Sequence, residues 1–103
     1  MMRKRKFKHN PLTLCYVDLP YKVEIEEGEE NGQKYFIARN PELGMGIMAT
    51  GNTPEKAVRE LRDARMDLIS VLLSKRLPLV LPPRAEGNTI YFDVVFAPMG
   101  MAI

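Results

Sequence analysis

The chain has 103 residues, 46% of them apolar and 27% charged, which allows one globular domain with a modest core and excludes a disordered or low-complexity chain. No apolar run approaches the ~18 residues a membrane helix needs, and the basic start MMRKRKFKHN lacks the apolar stretch of an export signal. The net charge of +2 is unevenly placed: Arg3, Lys4, Arg5, Lys6 and Lys8 supply five of the 15 basic residues, leaving 10 against 13 acidic residues from His9 onward.

The split points to nucleic-acid contact for the arm at residues 3 to 8 and to a cationic partner for the body. A solvated, disordered tail is the alternative for the arm. The following NPLTLCYVDLP is punctuated by Pro11 and Pro20 and reads as a short extended segment covering a sheet edge. Tyr21, Val23 and Ile25 then alternate with Lys22, Glu24 and Glu26, the period of a strand with one buried face. Tyr35 to Ala38 form a second strand. Asn31-Gly32 between them is a favoured hairpin dipeptide, and the length of EEGEENGQ predicts a bulged or extended hairpin.

Asn40-Pro41 ends the second strand, since proline lacks the ladder donor. Ile47 to Thr50 make a short third strand flanked by Gly44, Gly46 and Gly51. Thr53-Pro54-Glu55 marks a helix start: a capping hydroxyl, a proline that loses nothing at the first position, and an acid that complements the helix dipole. Lys56 leaves the capping box incomplete. Ala57, Leu61, Ala64, Leu68, Val71 and Leu72 form one apolar stripe, with Glu55, Arg59 and Asp63 on a charged face. Lys75, Arg76 and Pro78 mark the stop.

A proline-rich passage, LPLVLPPRAEGN, leads to a fourth strand in which Ile90, Phe92, Val94 and Phe96 alternate with Tyr91, Asp93 and Val95. The tail APMGMAI is apolar, fit to tuck against the core or to meet another subunit. The expected fold is α+β: a three-stranded antiparallel meander, one long helix on one sheet face, then a fourth strand (β-β-β-α-β) that the crossover can bring parallel to a neighbour. The chain divides into a basic arm and extended lead-in at 1–20, a domain at 21–96 and an apolar tail at 97–103.

Catalytic constellations are not evident. His9 and Cys15 have no partners at metal-ligand or nucleophile–base spacing, and the lone cysteine fits a reducing cytoplasm. The glycines match neither a phosphate loop nor a dinucleotide fingerprint, and Gly44-Met45-Gly46 precedes a strand, not a helix. Glu24, Glu26, Glu27, Glu29 and Glu30 lie on an exposed strand face and hairpin loop, not in a cleft. Their natural reading is a solvated loop. The functional alternative is that Glu26, Glu27, Glu29 and Glu30 meet a basic protein surface and speed encounter. Asp93 is an isolated carboxylate. No enzyme, metal or cofactor is expected.

The stretch with Tyr35 and Ala38, then Pro41-Glu42-Leu43-Gly44, a short strand, and Gly51-Asn52-Thr53-Pro54-Glu55-Lys56-Ala57 at a helix start resembles the HicB-like antitoxin family. Leu81-Pro82-Pro83 and Thr89 to Phe96 extend the likeness, which spans residues 21 to 96. Asn52 and Lys56 depart from the family's usual acids, Met45 to Ala49 is slightly long, and the DNA-binding domain that many members append after the last strand has no counterpart in the seven residues after Phe96. The resemblance implies a partial ribonuclease H-like fold without an active site, neutralisation of a small basic RNA-cleaving toxin (HicA-like), and assembly into homo-oligomers. Two other readings stand beside it: a nucleic-acid-binding protein acting through the N-terminal arm, and a non-catalytic oligomeric structural module.

Overall fold

The computed structural model describes residues 10–44 and 46–97. The fold is α+β, built on an antiparallel sheet of β1 (Glu24–Glu30), β2 (Gln33–Arg39) and β3 (Met48–Gly51) in the order β1-β2-β3. Glu30 faces Gln33 across the first turn, and Asn31 and Gly32 take φ of 53° and 79°. This left-handed pair matches the twist of the flanking strands. The hairpin is therefore tight, not bulged or extended, and EEGEE is strand, not loop. The Asn-Gly turn sets a register that overrides the weak strand preference of glutamate.

Gly28 is part of that register. A Cβ there would lie 2.4 Å from the Tyr35 ring, so the missing side chain lets the ring cross the strand. The expected buried face of Tyr21, Val23 and Ile25 does not form. Tyr21 is buried ahead of β1, whereas Val23 and Ile25 are exposed. The apolar cover reaches Ala38 on the central strand and stops short of the edge.

A short 3-10 turn at Pro41–Leu43 leads toward β3, and the long helix follows; it is α2 in chain order, after α1 (Thr13–Tyr16), and spans Pro54–Ser74. Thr53 Oγ1 accepts from the Lys56 amide at 3.1 Å, the cap read in the sequence. The turn from β3 into α2 is close: a Cβ on Gly51 would lie 2.6 Å from the Ala57 backbone nitrogen. Ala57 and Leu61 pack with Ala38 and Ile47, while Ile69 and Leu73 pack with Val17, Tyr21, Leu79 and Ala97. The expected stripe thus holds over the first half and rotates over the second, where Leu68 and Leu72 are half-buried and Ile69 and Leu73 are the core residues. Two clusters on different sides of one helix account for the change.

The helix ends with Arg76 N–H donating to Leu73 O at 3.2 Å and Leu77 N–H to Leu72 O at 2.8 Å. Arg76 has φ of 54°, where glycine is the usual occupant. Residues 10–20 are not an extended edge cover. Asn10 Oδ1 accepts from Leu12 N at 2.9 Å and starts α1, and Val17 beyond it is fully buried against α2. The Asn10 amide donates to Ser70 Oγ at 2.6 Å, which fastens this lead-in along the helix.

The expected fourth strand is divided. β4 (Leu79–Val80) pairs with β7 (Val94–Val95), and β5 (Arg84–Glu86) pairs with β6 (Thr89–Tyr91), both antiparallel and both outside the main sheet. The two ladders lie on one folded-back ribbon. Leu81, Pro82 and Pro83 oppose Phe92 and Asp93, so one strand carries an extra residue. The prolines offer no amide to the ladder there, although Leu81 N still donates to Asp93 O at 2.9 Å. Gly87, at φ 62°, turns the tip. No helix among the described residues is long and apolar enough to cross a membrane.

Candidate functional site: an acidic sheet edge

β1 pairs with β2 alone, so among the described residues its outer backbone edge meets no other strand. Ile25 is the register partner of Ala38, whose side chain faces α2; alternation then puts Ile25, Glu27 and Glu29 on the helix side and Glu24, Glu26 and Glu30 on the open side. Side chains two residues apart on one side are spaced by about 7 Å, so Glu24 and Glu26, and Glu27 and Glu29, are neighbours, whereas Gly28 separates Glu26 from Glu30. All five glutamates of β1 are exposed. The four sequence-predicted contact residues Glu26, Glu27, Glu29 and Glu30 are thus brought onto one extended strand and not onto a loop.

Three of the five acids are partly answered from within. Arg39 donates to Glu26 at 2.7 Å, Lys34 stands 3.3 Å from Glu27, and Lys22 stands 3.4 Å from Glu24. These pairs are exposed and contribute little to stability. Glu29 and Glu30, nearest the turn, have no ion pair among the described residues. Beside the strand, Ile25, Pro54, Glu55 and Val58 line a shallow, mostly apolar groove of about 330 Å3. An edge of free backbone groups, a run of carboxylates and an adjoining apolar groove together suit an extended basic segment.

Behind this surface lies a buried cation that sequence reading missed. Arg65 Nε donates to Val17 O at 2.7 Å and its terminal nitrogen donates to Asn40 Oδ1 at 2.9 Å. Asn40 Nδ2 in turn donates to Lys22 O at 2.9 Å. Burial pushes the Arg65 guanidinium below its ordinary value, with Asp18, 4.0 Å away, opposing that shift. Its position at i+4 from Leu61 and i−4 from Ile69 was the available signal, since a charged residue inside an apolar stripe must find buried partners. The arrangement locks the lead-in and the end of β2 to the helix, and so fixes where β1 begins.

Asp18 is held below the usual carboxylate range by its two hydrogen bonds from Arg62, both 2.8 Å. Burial pushes the Tyr21 hydroxyl up to about 12 while it donates to Val80 O at 2.7 Å. Cys15 is exposed, and Asp93 accepts from Arg84 at 2.8 Å. Among the described residues, no group of three His, Cys, Asp or Glu side chains could hold a metal ion. The basic arm Arg3, Lys4, Arg5, Lys6 and Lys8, together with His9, Met45 and residues 98–103 of the apolar tail, lies outside the described residues. Comparison with protein-family models, curated proteins and solved structures gives no match.

Proposed function

We propose that this chain is a non-catalytic antitoxin of the HicB-like kind, which acts in the cytoplasm by binding a small basic RNA-cleaving toxin and masking its surface. The observation that carries the reading is the β1 edge: five exposed glutamates on an edge strand whose outer side meets no other strand among the described residues, next to an apolar groove. A basic partner gains backbone hydrogen bonds along the edge, charge complementarity at Glu26, Glu27, Glu29 and Glu30, and apolar contact at Ile25 and Val58. Charge steers the encounter and selects the partner, while the apolar contact and the strand pairing hold it. The partial ribonuclease H-like fold that the family resemblance implies belongs to the same proposal.

The test is inhibition of RNA cleavage. A small basic ribonuclease recovered with this chain loses activity when the chain is added back in equal amount. A chain with Glu29→Lys and Glu30→Lys restores cleavage at the same concentration. Unchanged inhibition by that variant moves the contact away from β1. A recovered ribonuclease that the wild-type chain leaves fully active ends the antitoxin reading.

A further inference from the structure

On the open side of the sheet, Tyr35 leans over its neighbour. Gly28 is its register partner on β1, and a Cβ there would lie 2.4 Å from the ring's Cζ and 2.6 Å from its hydroxyl oxygen. The ring therefore lies across β1, in the slot that a side chain at position 28 would fill. Glu26 and Glu30, the next residues of that side along β1, stand about 7 Å away in either direction. Arg39 answers Glu26 at 2.7 Å, whereas Glu30 has no ion pair among the described residues. An aromatic ring thus sits between two carboxylates, one of them uncompensated.

The lean toward β1 takes the ring away from β3. Phe36 pairs with Gly51, which brings Asn52 beside Tyr35. There the surface opens into a cleft of about 650 Å3, within the size range of ligand sites, whose walls include Glu30, Gln33, Tyr35, Thr50 and Asn52. Lys34 also borders the cleft, but its ammonium stands 3.3 Å from Glu27, on the helix side of the sheet. The cleft therefore offers one aromatic ring, the amide oxygens of Gln33 and Asn52, the Thr50 hydroxyl and the Glu30 carboxylate.

Charge and donor geometry select the ligand. Phosphate-bearing ligands are repelled by Glu30 and by the other carboxylates of β1. A neutral sugar stacks on a tyrosine ring but leaves the Glu30 charge unanswered. A guanidinium meets every feature: its plane stacks on the ring, and its five donors fan out toward the carboxylate and the amide oxygens. An ammonium is compact, more strongly hydrated and has three donors, so it gains less. We infer that the Tyr35 cleft is an arginine-recognition site, which takes the guanidinium of an arginine side chain in a polypeptide against the Tyr35 ring and the Glu30 carboxylate. Gly28 is its positioning residue, since only the missing Cβ lets the ring take its place. The choice of a polypeptide as the source rests on the docking role proposed for β1.

The experiment follows the Tyr35 ring and the Gln33 and Thr50 amides of the full chain by NMR during titration with two capped pentapeptides, Gly-Gly-Arg-Gly-Gly and Gly-Gly-Lys-Gly-Gly. The arginine peptide shifts these signals and binds about 5-fold more tightly than the lysine peptide. Tyr35→Phe, which keeps the ring, retains that preference. Tyr35→Ala and, separately, Gly28→Ala, which moves the ring from its slot, abolish it while the helical circular dichroism stays that of wild type. Glu30→Gln weakens both peptides alike, since it removes the charge and keeps an acceptor. Free arginine, whose own carboxylate meets the acidic strand, binds more weakly than the peptide. Equal affinity for the two peptides, or no response to either, overturns the inference. So does a preference that survives Tyr35→Ala, tighter binding of free arginine, or a larger Tyr35 response to maltose or to a single-stranded RNA oligonucleotide than to the arginine peptide. The antitoxin reading fails separately: a chain that prefers arginine yet inhibits no ribonuclease keeps the cleft and loses that reading, and one that inhibits with no arginine preference does the reverse.

Discussion

Arg65 and Asn40 meet inside the protein, with the guanidinium donating to the amide oxygen at 2.9 Å. Each holds a backbone carbonyl as well, Arg65 that of Val17 and Asn40 that of Lys22. Two side chains from a helix and a strand end thereby fix the path of residues 17 to 22. Arg65→Ala leaves the Val17 carbonyl and the Asn40 oxygen buried without donors, at a cost of roughly 3 kcal/mol in urea unfolding. Arg65→Lys recovers little of this, since an ammonium cannot reproduce the forked geometry. Asn40→Ala exposes the same dependence from the other side, and the double variant costs less than the two singles combined.

The Asp18–Arg62 pair offers the contrast. Both partners are more than a third exposed, so solvent screens the contact despite its good geometry. Asp18→Asn therefore lowers stability by only a few tenths of a kcal/mol at neutral pH. Because Asp18 is held below its unfolded value, that contribution is present above about pH 4 and disappears as pH falls through the folded value. Acid titration of wild type and variant checks the convergence.

Tyr21 sets an alkaline limit. Its hydroxyl is raised from 10.0 to about 12, chiefly by burial. The neutral form is thus favoured in the folded state. Its contribution is complete below pH 10 and is lost as pH rises from 10 to about 12. Tyr21→Phe loses the bond to Val80, costing about 1 kcal/mol at pH 7, and flattens the stability profile over that alkaline window. Denaturant midpoints measured across it separate the two effects.

Glycine changes rank by what they strike. Gly51→Ala drives a methyl into the backbone of Ala57, 2.6 Å away, and neither the strand nor the capped helix start can yield cheaply. A loss of about 2 to 3 kcal/mol is expected. Gly28→Ala meets the far end of the Tyr35 ring, which can swing outward, so its cost is smaller. Arg76→Gly acts in the other direction. It relieves a left-handed residue at the end of α2 and stabilises by about 0.5 to 1 kcal/mol. Thermal unfolding of the three variants gives the order.

Local signals in the sequence carried much of this fold. Thr53-Pro54 placed the helix start, Asn31-Gly32 placed the turn, and Asn40-Pro41 ended β2, because each acts through backbone geometry within a few residues. What failed depended on distant partners. NPLTLCYVDLP carries prolines and reads as extended, yet its short helix is stabilised by packing on α2, sixty residues away. Tyr21, Val23 and Ile25 have a strand period, but only Tyr21 is buried, through contacts with the second cluster. The division of the last strand came from Pro82 and Pro83, whose effect on a ladder depends on which strand lies opposite. For the candidate site, the glutamates were legible as an acidic cluster. Their place on a sheet edge was not, since edge position is a property of the whole sheet.

The central claim is that the acidic edge serves a small basic ribonuclease. The most direct measurement is capture of the chain from its native cells at moderate salt, followed by an RNA-cleavage assay on the protein that co-elutes. The account predicts a stoichiometric small basic protein whose cleavage of RNA falls as this chain is added, with Glu29→Lys and Glu30→Lys abolishing the effect. Recovery of nucleic acid alone, lost when residues 1 to 9 are removed, would contradict it and assign the binding to the basic arm.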